Sequence, residues 1–105
     1  MKLRESIEAA WDNRELLSES SVQEAIYEVV DQLDRGILRV AQKESGAWQV
    51  NDWIKKAVIL YFPIRKMETI ETPPFEFHDK IPLKSGYKAM GVRVVPHALA
   101  RYGSY

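Results

Sequence analysis

The run Val22-Gln23-Glu24-Ala25-Ile26-Tyr27-Glu28-Val29-Val30-Asp31-Gln32-Leu33-Asp34-Arg35-Gly36 carries the clearest periodicity in this 105-residue chain. Val22, Ala25, Ile26, Val29, Val30 and Leu33 recur at steps of three and four, which puts them on one stripe of a helix. Just ahead, Ser21 and Glu24 have the spacing of a capping box, in which each side chain satisfies a backbone donor at the helix start. Gly36 stands where a helix stops, because glycine takes the left-handed conformation without a Cβ penalty. The pattern predicts an amphipathic helix that buries one face and ends at Gly36.

Toward the N-terminus, Leu3, Ile7, Ala10 and Trp11 predict a shorter amphipathic helix over residues 2–13, followed by a polar break at Ser18 to Ser21. Toward the C-terminus, residues 37–50 read as a hairpin: Leu38 to Gln42 as one strand, Glu44-Ser45-Gly46-Ala47 as the turn, and Trp48 to Val50 as the return. Asn51 is expected to cap a third helix with Asp52 in its first turn. Ile54, Ala57, Val58 and Tyr61 form its inner face, Lys55 and Lys56 its outer one, and Pro63 its end.

Past Pro63 the character changes. Pro73, Pro74 and Pro82 interrupt the chain, Phe75 and Phe77 flank Glu76 as in an extended segment, and Ser85-Gly86 marks a turn. Val92-Arg93-Val94-Val95-Pro96 reads as a short β-like run. Helices first and extended segments later define an α+β class: one domain over residues 1–105, with about three helices, a hairpin and extended C-terminal segments. A compact chain of this length has a radius of gyration of about 13 Å.

Fifteen basic and fifteen acidic residues cancel, so nothing in the overall charge draws the chain to nucleic acid or to an anionic membrane. The longest apolar run, Ala57 to Phe62, is far short of a membrane span of about 20 residues. No apolar stretch follows Met1-Lys2-Leu3-Arg4-Glu5, so no secretory signal is read there. The absence of cysteine excludes disulfides, thiolate metal sites and a cysteine nucleophile, and fits a reducing compartment.

Two histidines, His78 and His97, come without a metal-binding spacing, so no metal site is expected and both read as loop residues. His78-Asp79 are adjacent on an extended segment and point to opposite faces, which argues against a relay. No phosphate-binding glycine motif and no serine elbow appear. Trp11, Trp48 and Trp53 read as core and rim packing rather than as an aromatic platform. Arg93 alternates against Val92 and Val94. Its forked guanidinium suits a carboxylate, but spacing alone favours a salt bridge or an edge-strand charge in its place. No catalytic constellation is complete in this chain.

Four blocks in order carry a family resemblance. They are Leu33-Asp34-Arg35-Gly36-Ile37-Leu38-Arg39-Val40-Ala41 with Trp48 beyond it, Trp53-Ile54-Lys55-Lys56-Ala57-Val58-Ile59-Leu60, Phe77-His78-Asp79-Lys80-Ile81-Pro82-Leu83-Lys84, and Gly91-Val92-Arg93-Val94-Val95-Pro96 running on to Ala100-Arg101-Tyr102-Gly103. Together they resemble the N-terminal domain of tetrahydrodipicolinate N-succinyltransferases across essentially the whole chain.

The resemblance implies a cytoplasmic, homotrimeric acyltransferase of diaminopimelate and lysine synthesis. Such an enzyme moves a succinyl group directly from its co-substrate succinyl-CoA to the amino nitrogen of a dicarboxylate acceptor. It also implies that Arg93 is a substrate-binding residue, while the catalytic and coenzyme-binding groups belong to a left-handed β-helix of hexapeptide repeats that this sequence lacks. A fragment of that kind, whether produced as such, proteolysed or truncated, is expected to be inactive alone. The alternative reading is a non-catalytic protein-interaction module that docks through its proline-rich C-terminal half.

Overall fold

A computed structural model describes residues 2–105. Its elements are α1 (Lys2–Asp12), a 3₁₀ turn (Arg14–Ser18), α2 (Ser20–Asp34), β1 (Ala41–Glu44), β2 (Ala47–Val50), α3 (Asp52–Tyr61), β3 (Glu68–Thr72), β4 (Phe75–Asp79) and α4 (Tyr87–Met90). The class is α+β, with one helix and one hairpin more than the sequence pattern suggests.

The three longer helices enclose the core. Ile7 and Ala10 of α1, Ile26 and Val29 of α2, and Ile54, Ala57 and Leu60 of α3 are fully buried. Each such isoleucine or leucine contributes about 1.5–3 kcal/mol through the apolar surface it removes from water. The predicted stripe of α2 is the buried one, though Leu33 lies at its margin. On α3 the inner face is Trp53, Ile54, Ala57, Leu60 and Tyr61, while the expected Val58 is half-buried.

The ends of the helices show which local signals operate. Gly36 (φ +74°) stops α2 as predicted: its N–H donates to Leu33 O and that of Ile37 donates to Gln32 O, the paired bonds of a Schellman motif. The capping box is not formed. Residue Glu19 precedes the first turn without a side-chain cap, and Ser21 already lies inside the helix, because the 3₁₀ turn delivers the chain two residues earlier than the Ser21–Glu24 spacing suggests. Asn51 stands before α3 as expected but does not cap it with its side chain, which donates instead to Arg39 O at 2.7 Å.

β1 and β2 pair antiparallel with Ala41 opposite Val50 and Glu44 opposite Ala47. The predicted first strand, Leu38 to Gln42, is displaced toward the C-terminus. Leu38 and Val40 pack against the core, and pairing starts at Ala41 under control of the two-residue turn Ser45-Gly46, both at positive φ. β3 and β4 form a second antiparallel hairpin, Glu68 opposite Asp79 and Thr72 opposite Phe75, closed by a cis Pro73–Pro74 peptide. The strand expected over Val92 to Pro96 does not form, because its backbone closes local turns: Val92 N–H donates to Tyr87 O, and Ala98 N–H to Val95 O.

Neither hairpin packs against a helix or against the other hairpin. The molecule is therefore a flat body of 42 × 39 × 17 Å, and its radius of gyration of 15.5 Å exceeds the compact expectation. Trp11 and Trp53 pack as predicted, but Trp48, on the free-standing first hairpin, is 71% exposed and is not a core residue.

Candidate functional site

The C-terminal half is fastened to the helices by a chain of polar contacts. Arg65 Nε donates to Lys80 O (3.0 Å), and Lys80 Nζ donates to Phe62 O at the end of α3 (3.2 Å). A cation is favoured there by the helix dipole. Further along, Leu83 bridges Arg101, Lys84 N–H donates to Ala100 O, and Tyr102 N–H donates to Pro82 O. These bonds draw the segment Ala100–Ser104 against the loop before α4.

The C-terminal turn of α2 receives that segment. Lys84 Nζ donates to Asp34 O (2.7 Å) and Asp34 Oδ1 (2.8 Å), and Gly103 N–H donates to the same carboxylate oxygen (2.8 Å). Tyr102 donates its hydroxyl to Asp31 Oδ1 at 2.7 Å. This bond and the Arg35 guanidinium hold the Asp31 carboxyl below its usual range. Burial first, and then the same hydrogen bond, push the Tyr102 phenol up. Tyr105 completes the assembly, its ring lying over Gly36 with Arg39 on it at 5.2 Å.

Beside this strap, Lys84, Tyr87, Met90, Val92, Ala100 and Tyr105 line an open, largely apolar groove of about 510 Å³. α4 forms one wall between two glycines at positive φ, Gly86 (+84°) and Gly91 (+70°). Gly91 ends α4 as Gly36 ends α2, with Gly91 N–H donating to Lys88 O and Val92 N–H to Tyr87 O. That turn sets the direction in which Val92 and Arg93 leave the helix.

Arg93 lies on this segment, exposed, and no described residue forms an ion pair or hydrogen bond with it. Neither a salt bridge with a described residue nor an edge-strand position accounts for it, since it pairs with none of them and its segment is not a strand. His78 and His97 are apart in role: the first pairs with Thr69 Oγ1 across the second hairpin (3.0 Å), and the second meets the Phe75 ring edge-on. Asp79 turns to Arg101 (3.0 Å), and the backbone N–H of Lys80 first, then Arg101, hold its carboxyl low. Lys55 faces solvent, while Lys56 binds Glu8 of α1 at 2.7 Å. Among the described residues, no group of His, Asp and Glu is arranged to hold a metal.

Sequence reasoning passed over Lys84, Asp34, Asp31 and Tyr102, because each pair is separated by fifty or more residues and has no local spacing to betray it. The only sequence-level signal is that an aspartate in the last turn of α2 opposes the helix dipole and therefore calls for a distant cation.

Fold and site define a small α+β domain whose helices and hairpins frame a groove, with no acid–base pair beside it among the described residues. Residues 2–64 match the family model described as the N-terminal domain of tetrahydrodipicolinate N-succinyltransferase, and the chain belongs to that family. Among curated proteins it is similar to the 2,3,4,5-tetrahydropyridine-2,6-dicarboxylate N-succinyltransferases of Pseudoalteromonas translucida (45% identical, over 98% of this chain and 41% of the relative) and Alkalilimnicola ehrlichii (46%, over 98% and 42%). That of Coxiella burnetii is 39% identical over 98% of this chain and 41% of the relative. The chain thus spans about two fifths of the length of these relatives.

Proposed function

We propose that this chain serves as the N-terminal domain of a tetrahydrodipicolinate N-succinyltransferase, an enzyme that transfers succinyl from succinyl-CoA to the amino nitrogen of a dicarboxylate acceptor in diaminopimelate and lysine synthesis. The observation that carries this is similarity over 98% of the chain to enzymes of that name at 39–46% identity. In this reading the whole enzyme is a cytoplasmic homotrimer, and the domain supplies Arg93 to a carboxylate of the acceptor. The exposed guanidinium, bonded to no described residue, supports that role: its forked N–H groups are free to donate to both oxygens of a carboxylate.

The domain alone is proposed to be inactive, since it spans only about two fifths of the length of the enzymes it resembles. Arg93 binds and orients; proton transfer and the coenzyme belong to the remainder of the enzyme. A thiol-release assay with succinyl-CoA and the acceptor tests the reading. The purified 105-residue chain should release no CoA above background, whereas turnover by it would overturn this division of labour.

A further inference from the structure

The first hairpin has a feature that the second lacks. β2, Ala47-Trp48-Gln49-Val50, is the only one of the four strands without a charged side chain among the described residues. Edge strands are normally protected from pairing by charges, proline or a covering element. β1 carries Lys43 and Glu44, β3 carries Glu68 and Glu71, and β4 carries Glu76 and Asp79. β2 has no such guard, and no helix or other hairpin covers it.

Its backbone direction is fixed by the ladder. Asn51 N–H donates to Val40 O, so Val40 and Asn51 are a hydrogen-bonded pair. Counting along the antiparallel register, Gln42–Gln49 and Glu44–Ala47 are hydrogen-bonded pairs too, and Lys43–Trp48 and Ala41–Val50 are not. The N–H and C=O groups of Trp48 and Val50 therefore point away from β1, toward an open edge. The side chains of the same two residues share one face and are 71% and 59% exposed. A two-stranded ribbon in water is marginal by itself.

We propose that β2 pairs antiparallel with β2 of a second copy of this chain, about a two-fold axis through Gln49. This register sets Trp48 opposite Val50 of the other copy in hydrogen-bonded pairs, twice, and makes a four-stranded sheet. Both outward-facing residues are satisfied at once, which makes the strand its own complement. On one face the two tryptophans lie against the two valines, a cross-strand pairing worth having in any sheet. Zero net charge puts no long-range repulsion between copies. The contact is two-fold and separate from the three-fold association proposed for the whole enzyme.

Sedimentation equilibrium of the purified chain from about 1 µM to about 1 mM, with backbone amide exchange read residue by residue, tests this. A monomer–dimer equilibrium is expected, with Trp48 and Val50 amides protected only in the dimer. Trp48→Lys puts a charge on the edge, and Val50→Pro removes an outward N–H without removing a bond to β1. Each should weaken dimerisation at least about tenfold and leave the helical circular dichroism unchanged. A chain that stays monomeric, forms trimers, or dimerises with these two amides unprotected would overturn the proposal. Should a substitution unfold the chain, the exchange pattern of the unaltered protein decides by itself.

Discussion

Lys84 grips the end of α2 twice, through the Asp34 carbonyl oxygen at 2.7 Å and its carboxylate at 2.8 Å, across fifty residues of sequence. The two side chains are only 8% and 18% exposed. Removing one partner of a largely buried pair leaves the other charge poorly solvated, at a cost of about 3–5 kcal/mol. Lys84→Met should therefore lower the unfolding free energy by about 3 kcal/mol in urea titrations. Asp34→Asn keeps an oxygen for Gly103 N–H and should cost less, about 1–2 kcal/mol. Equal losses for the two variants would show that the hydrogen bonds an asparagine can keep contribute nothing beyond the ion pair, and no loss in Asp34→Asn would show that the charge contributes nothing beyond the hydrogen bonds.

Gly36 and Gly91 have nearly the same backbone, φ +74° and +70°, yet different surroundings. A Cβ on Gly91 meets nothing within 4 Å, whereas one on Gly36 falls 2.6–2.7 Å from three ring carbons of Tyr105. Gly91→Ala should cost only the left-handed conformation, about 1–2 kcal/mol. Gly36→Ala should cost more, and the excess should vanish in a Tyr105→Ala background. A double-mutant cycle in urea measures that excess directly; no coupling between the two sites would place the Tyr105 ring elsewhere in solution.

What the sequence makes legible follows from range. The stripe on α2 and its stop at Gly36 are written within about fifteen residues, because burial of one face and a left-handed turn are local demands. The first hairpin is legible in its turn and return strand, but its first strand starts three residues later than expected, since Leu38 and Val40 look like strand residues yet are held by the core. β3 escapes notice because Glu68-Thr69-Ile70-Glu71-Thr72 carries a single apolar side chain and buries no face. The opposite error occurs at Val92 to Pro96, whose β-branched residues suit a strand but find no partner. Arg93 is findable through its family block, while its lack of a partner among the described residues is visible only in three dimensions.

Stability should fall on both sides of a neutral plateau, and Tyr102 links the two limbs. Asp31, Asp79 and Glu8 have lowered folded-state values, through Tyr102, the Lys80 N–H and Lys56 respectively. Groups so depressed stabilise fully above their unfolded values of about 4, and that stability is lost as pH falls through the lower folded values. Tyr102 is raised by burial and by Asp31, so its contribution is complete below about pH 10 and lost as pH rises beyond it. Tyr102→Phe removes both the hydroxyl that depresses Asp31 and the ionisation itself. It should flatten the acid limb in part and the alkaline limb markedly in urea titrations across pH; two unchanged limbs would refute the linkage.

Arg93 separates binding from folding more cleanly than any other residue. It is exposed and bonds to no described residue, so Arg93→Ala should change the stability of the chain by no more than about 0.5 kcal/mol. In the whole enzyme the same substitution removes a charge-assisted contact with the acceptor, which is worth about 1.5–3 kcal/mol. The acceptor KM should then rise about tenfold to a hundredfold, with the KM for succinyl-CoA unchanged. Arg93→Lys should recover only part of the loss, because an ammonium is a point charge and cannot hold both carboxylate oxygens in one plane. Steady-state kinetics with each substrate varied in turn make the comparison. Full recovery by lysine would leave Arg93 the role of a nearby charge and no more, and an unchanged acceptor KM in Arg93→Ala would remove it from the site.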